Sequence, residues 1–140
     1  MDYTTATATE LHSLYQSGQT NPVEVVQQCL DRIHRLNPVV NAFCFLDPAT
    51  TMAQARASAD RWQQGQPLSV LDGIPVAVKD SIFTQGWPTR HASRAIDTDQ
   101  PWLEDAPAVA RLREAGAVFV GKTTMPEFSW GGTSTVSQAY

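Results

Sequence analysis

A chain of 140 residues with 42% hydrophobic content can bury about two-thirds of its unfolded surface, enough for one core, so one domain or one piece of a larger domain is expected. Ten basic residues against fourteen acidic ones give a formal net charge of -4, and the basic residues are scattered without a run or aromatic interleaving that would track phosphates, so direct nucleic-acid binding is not expected. The start, Met1-Asp2-Tyr3-Thr4, lacks a basic leader, and no apolar run approaches the roughly eighteen residues of a membrane span, which predicts a cytoplasmic protein with no membrane partner.

Thr7-Ala8-Thr9-Glu10 has capping-box spacing, and Leu11, Leu14 and Tyr15 follow on one face before Gly18, which predicts a short helix. Asn21-Pro22-Val23-Glu24 reads as cap, first-turn proline and acidic first turn, opening a second helix with Val23, Val26, Leu30 and Ile33 on one stripe. Asn37-Pro38 is expected to end it, and Val39 to Leu46 has strand composition. Asp47-Pro48 then opens an alanine-rich helix toward Gly65, expected to bury Met52, Ala55, Ala59 and Trp62. Gln63 to Ser69 is the candidate internal boundary, dividing a helical arm at 1–65 from an α/β segment at 66–140.

Asp72-Gly73 signals a turn, and Ile74, Val76 and Val78 are branched residues at strand spacing, so Lys79 is expected at the end of a strand. Strand ends are where open α/β sheets build their sites, and a lysine withdrawn from water there sheds its proton more easily and becomes a usable base. The plainer alternative is a lysine at a sheet edge with its stem packed and its charge in solvent. Asp80 follows directly, and on an extended backbone it faces away from Lys79, free to anchor the next loop. Thr84 to Asp105 carries Gly86, Pro88 and Pro101 among polar residues and reads as a long irregular segment. A helix over Ala106 to Ala115 then leads through Gly116 to a strand over Ala117 to Val120, and the order strand, loop, helix, strand belongs to the α/β class.

Gly116 to Thr123 satisfies GxxxxGK[ST] letter for letter, yet a phosphate loop must follow a strand and open a helix, whereas here a helix precedes and the middle residues form strands. Lys122 and Thr123 read instead as a second cluster at a strand's end. His12, His34 and His91 lack metal-site spacing, so no metal is expected, and His34 is placed on a helix surface. Cys29 and Cys44 lack CxxC spacing and read as reduced core residues. Trp87, Trp102 and Trp130 suit either a core or a pocket wall. Ser81, Ser93, Ser129, Ser134 and Ser137 are nucleophiles by type, none in a GxSxG elbow.

Leu71 to Asp80, Asp105-Ala106-Pro107-Ala108-Val109-Ala110-Arg111-Leu112, and Gly116-Ala117 through Gly121-Lys122-Thr123-Thr124-Met125-Pro126-Glu127-Phe128 together resemble the amidase signature family. The stretch Arg32-Ile33, Leu36-Asn37-Pro38 and Asn41-Ala42-Phe43 is similar to that family's N-terminal helical arm. The resemblance implies the N-terminal part of a three-layer α/β/α fold with a mixed central sheet. It implies a hydrolase that uses a serine nucleophile, a second serine with a cis peptide bond and a lysine, matched here by Lys79, with no metal or other cofactor. It also implies an acyl pocket near Thr123 to Phe128, with Thr124 and Met125 as substrate-binding residues. The glycine- and serine-rich segment that carries the two serines follows the region matched here, so the chain is expected to hold the lysine alone. Smaller departures are Ser81 where asparagine is frequent, Arg90-His91-Ala92-Ser93 in place of a threonine, alanine, glycine and serine, and Thr124 where asparagine is common.

Three functions follow. The first is an amidase acting on a small-molecule amide, with a homodimer as the assembly considered. The second is the glutaminase subunit of a tRNA-dependent amidotransferase, which resembles the same family. The third is a non-catalytic interaction module that binds through unpaired sheet edges.

Overall fold

The computed structural model describes residues 1–133. Along the chain, helices α1 (Ala8–Gln16) and α2 (Pro22–Val40) precede a short strand β1 (Phe43–Phe45), and helix α3 (Pro48–Gln63) follows it. Strand β2 (Pro75–Lys79), helix α4 (Pro107–Glu114) and strand β3 (Val118–Thr123) follow.

The helix starts are where the caps place them. Thr7 Oγ1 accepts from the Glu10 amide at 3.2 Å while Glu10 Oε2 accepts from the Thr7 amide at 2.7 Å, which satisfies two orphan donors at the start of α1. Asn21 Oδ1 accepts from the Glu24 amide at 3.1 Å and Asp47 Oδ1 from the Thr50 amide at 3.1 Å, so α2 and α3 open on their caps with proline in the first turn.

The end of α2 differs from expectation. The helix runs through Pro38 to Val40 and stops on Asn41 in the left-handed conformation, φ 47°. In the last turn proline forfeits a single amide donor, and the Asn37 side chain makes the exit turn itself, donating to Phe43 O at 2.9 Å and accepting from the Phe43 amide at 2.7 Å. Val39 and Val40 are therefore exposed helix residues, and the strand shrinks to three residues. Helix α3 also differs: its buried face is Thr51, Ala55, Ser58 and Ala59, with Met52 and Trp62 only partly covered. Small residues there let the helix approach the sheet, and Thr51 Oγ1 donates to Phe119 O at 2.8 Å.

The sheet is mixed, in the order β1-β3-β2, with β3 antiparallel to β1 and parallel to β2. Val118 packs with Val26, Leu30 and Ala55 of α2 and α3, while its neighbour Phe119 packs with Val109 of α4, Val78 and Trp87. Adjacent strand residues face opposite ways, so helices cover both faces and the layering is α/β/α. The register slips opposite Val76 and Ala77, and Gly121 sits there at φ 155° because a Cβ would lie 2.6 Å from Leu46 Cδ2 and 2.7 Å from Phe45 O.

The turn into β2 is locked by charge. Asp72 is fully buried and takes two hydrogen bonds from Arg61, at 2.8 and 2.6 Å, and one from the Leu68 amide at 2.8 Å. Gly116, φ 86°, passes so close that a Cβ would lie 2.6 Å from Asp72 Oδ1. Residues 84–105 carry no helix, and only an isolated bridge between Thr84 and Trp87. The segment is fastened by Gly86 N to Trp102 O at 2.8 Å, by Gln85 N to Asp105 Oδ1 at 2.7 Å and by the buried Trp87. No described helix is long and apolar enough to cross a membrane.

Candidate active site

Parallel pairing brings the C-terminal ends of β2 and β3 level, with Lys79 opposite Thr123 and Val78 opposite Lys122. Alternation then sends Lys79 to one face of the sheet end and Lys122 to the other. Lys79 is exposed, and its Nζ donates to Ser129 Oγ at 3.3 Å. The burial expected for this lysine is not supplied by the described residues, whose contacts leave its ammonium open to solvent.

Two turns build the wall beside it. His91 and Ala92 have φ of 52° and 55°, and Phe128 and Ser129 have φ of 46° and 62°. Such left-handed pairs are held only where surroundings fix them. Here the Phe128 amide donates to His91 O at 2.9 Å, the His91 and Phe128 rings stack at 5.8 Å and 15°, and Ser93 Oγ donates to Glu127 Oε1 at 2.6 Å. The two turns thus carry Ser129 to Lys79.

The opposite face is dry. Lys122 has no exposed surface; its Nζ donates to Ile82 O at 2.9 Å and to Thr89 Oγ1, with Asp80 Oδ1 at 3.9 Å. Asp80 accepts from the Arg90 and Ala92 amides, each at 3.1 Å, and so anchors the loop as its position after Lys79 suggests. Burial pushes the Lys122 ammonium down to about 8, against the opposing pull of Asp80 and Cys44. The lysine that is desolvated is therefore Lys122, whose position at the end of an apolar run reads in the sequence only as a second cluster. The phosphate-loop pattern that contains it is a buried strand, with no helix opening at Thr123.

The remaining candidates separate. Met125 is 1% exposed, and the Thr124 hydroxyl donates to Asn41 O at 3.0 Å. Trp87 is core, Trp102 lies beside Phe83 at 6.3 Å between ring centres, and Trp130 is exposed. Of the serines, Ser129 reaches Lys79 and Ser93 is bound to Glu127, while Ser134 and Ser137 lie outside the described residues. Cys29 and Cys44 are not joined in a disulfide, and Cys44 Sγ donates to Lys122 O at 3.4 Å. His34 lies on the exposed side of α2. Among the described residues, no group of three His, Cys, Asp or Glu converges as a metal site.

Residues 24–140 match the family model described as Amidase. A glutamyl-tRNA(Gln) amidotransferase subunit of Chloroflexus aurantiacus is 42% identical over 134 residues, which is 96% of this chain and 27% of that protein. The native peptide amidase from Stenotrophomonas maltophilia superposes with a TM-score of 0.83 at 29% identity, over 90% of this chain and 26% of that one. A bacterial aryl acylamidase of the amidase signature family superposes with a TM-score of 0.84 at 26% identity, over 91% of this chain and 27% of that one. The chain thus spans about a quarter of the length of the relatives it matches.

Proposed function

The chain belongs to the amidase signature family, and from that premise we propose that it is the N-terminal part of an enzyme that cleaves carboxamide C–N bonds by acyl transfer, with Lys79 handling the proton. The observation that carries this reading is the position of Lys79: its Nζ lies at the C-terminal end of β2, at hydrogen-bond distance from a serine hydroxyl on a conformationally constrained turn, and the burial that a lysine base needs is assigned, with the two serines, to parts of the enzyme other than the described residues. An open α/β sheet presents reactive groups at that place.

In the reaction, Lys79 takes the proton of the nucleophilic serine through a relay serine, the nucleophile's oxygen adds to the carbonyl carbon, and the C–N bond breaks as the proton passes to the leaving amine. Water then releases the acyl group as a carboxylate. Backbone amides beside the nucleophile stabilise the oxyanion. The nucleophile and the relay serine are assigned by resemblance to sequence following the matched region. Ser129 orients the lysine, and Thr124 and Met125 contribute to the acyl pocket from the chain segment that leads into that turn. The test is acyl-enzyme formation by the intact enzyme with and without Lys79.

A second reading is favoured by identity. The match to the glutamyl-tRNA(Gln) amidotransferase protein, 42% over 96% of the chain, exceeds the 29% to the peptide amidase. It makes glutamine the amide and a partner the acceptor of ammonia. The two readings part on a single assay. Turnover of simple carboxamides by the isolated enzyme supports the first, whereas glutamine hydrolysis that rises with an added partner and glutamyl-tRNA(Gln) supports the second.

A further inference from the structure

Among the described residues, the hydrogen bonds and the ion pair of the Lys122 ammonium fall on the segment that follows Lys79: Ile82 O at 2.9 Å, Thr89 Oγ1, and Asp80 Oδ1 at 3.9 Å. Asp80 passes the restraint on to Arg90 and Ala92 through their amides at 3.1 Å. The Asp80 amide donates to Thr123 O at 3.0 Å and the Ile82 amide to Lys79 O at 3.0 Å, so the backbone on both sides of Lys79 is tied to the same knot. From Ala92 the path is short: its neighbour His91 holds Phe128 through O and ring, and Ser129 beside it meets Lys79.

Apolar side chains of similar volume often stabilise a core at least as well as a buried ion pair, and in some proteins such a pair is kept for the geometry it specifies. The geometry specified here is that of the strand end and the two turns around Lys79. We propose that Lys122 and Asp80, with Thr89, form a buried clamp that positions Lys79 and Ser129, making them positioning residues for the reaction on the opposite face of the sheet. Among the described residues, Asp80 and Cys44 are the titratable groups that act on Lys122, and both favour its charged form against burial. The kinetic consequence rests on the amidase reading; the geometric one does not.

The test uses the intact enzyme with Lys122→Met, read by circular dichroism, by amide hydrogen exchange over residues 80–93 and 126–130, and by steady-state kinetics. The expected result is a folded protein in which exchange in both turns rises about tenfold or more beyond any rise shared by the core helices, and kcat falls at least about tenfold with KM within about twofold. Wild-type exchange in these turns together with wild-type kcat in folded Lys122→Met overturns the clamp, as does a uniform rise in exchange across the fold. Should Lys122→Met fail to fold, Thr89→Val removes the hydroxyl that accepts from Lys122 and donates to Ile82 O at 3.4 Å, and the same local rise in exchange supports the clamp while unchanged exchange refutes it. A wild-type enzyme that turns over no amide defeats the proposed function instead, and leaves the exchange result to decide the clamp.

Discussion

Lys79 and Lys122 stand one register position apart at the ends of two parallel strands, and one is exposed while the other has no exposed surface at all. Alternation along the strands separates the amine that can meet a substrate from the ammonium that can only hold structure.

Replacing the exposed lysine should therefore remove chemistry and leave the fold. For Lys79→Ala in the intact enzyme, kcat/KM is expected to fall about 10³-fold or more with an unchanged circular dichroism spectrum, whereas Ser129→Ala, which removes only a hydrogen-bond partner, should lose less than about tenfold. Comparable losses in the two variants would move Ser129 from orienting the lysine to sharing in the reaction.

Replacing either member of the buried pair should act on stability. Lys122→Met and Asp80→Asn each strand the other group and are expected to cost about 3–5 kcal/mol, while the double variant should cost well under their sum. Denaturant titration of the four proteins measures the coupling. The pH dependence has a definite sign. The folded value near 8 lies below the 10.5 of the unfolded lysine, so between these values the unfolded chain binds the extra proton and wild type should gain stability, of order 3 kcal/mol, relative to Lys122→Met.

On the acid side, two arginine-paired aspartates contribute. Burial pushes Asp72 up, but the hydrogen bonds from Arg61 and from the Leu68 amide outweigh it and hold the carboxyl below its usual 3.8; the Arg113 guanidinium does the same for Asp105. A lowered folded value stabilises above 3.8 and is lost as pH falls through it. Arg61→Ala should cost about 3 kcal/mol at neutral pH and flatten the fall in stability between roughly pH 5 and 2, as read by thermal melts across that range.

Gly121 offers a purely steric test. Because a Cβ there meets Phe45 O at 2.7 Å, a backbone atom that cannot rotate away, Gly121→Ala should destabilise by about 2–4 kcal/mol and separate β1 from β3. Amide exchange at Thr124, which donates to Ala42 O at 2.9 Å across the two strand ends, checks the location of the damage.

Much of this architecture can be read from short-range signals. Thr7 with Glu10, Asn21 with Pro22 and Asp47 with Pro48 mark helix starts because a cap and its donor lie within one turn. The branched residues before Lys79 likewise place it at a strand end. What escapes the sequence depends on partners distant along the chain. Pro38 reads as a stop, but the exit turn is made by the Asn37 side chain on Phe43. Met52 and Trp62 read as core, but closeness to β3 selects Thr51, and closeness to the Asp72-Gly73 turn selects Ser58. Desolvation is expected at Lys79 because it ends an apolar strand; Lys122 ends one too, and only the loop from Asp80 to Ala92 decides which lysine is covered. The meeting of Ser129 with Lys79 is a contact across 50 residues that no local pattern encodes.

The central claim is that Lys79, and not Lys122, is the working base. The most direct measurement is the rate of acyl-enzyme formation, followed in a single turnover of a chromogenic amide by the intact enzyme and by its folded Lys79→Ala and Lys122→Met variants. Lys79→Ala is expected to abolish the acylation phase, while Lys122→Met slows it by a smaller factor and still reaches full amplitude. Acylation at a near-normal rate in Lys79→Ala would contradict the assignment.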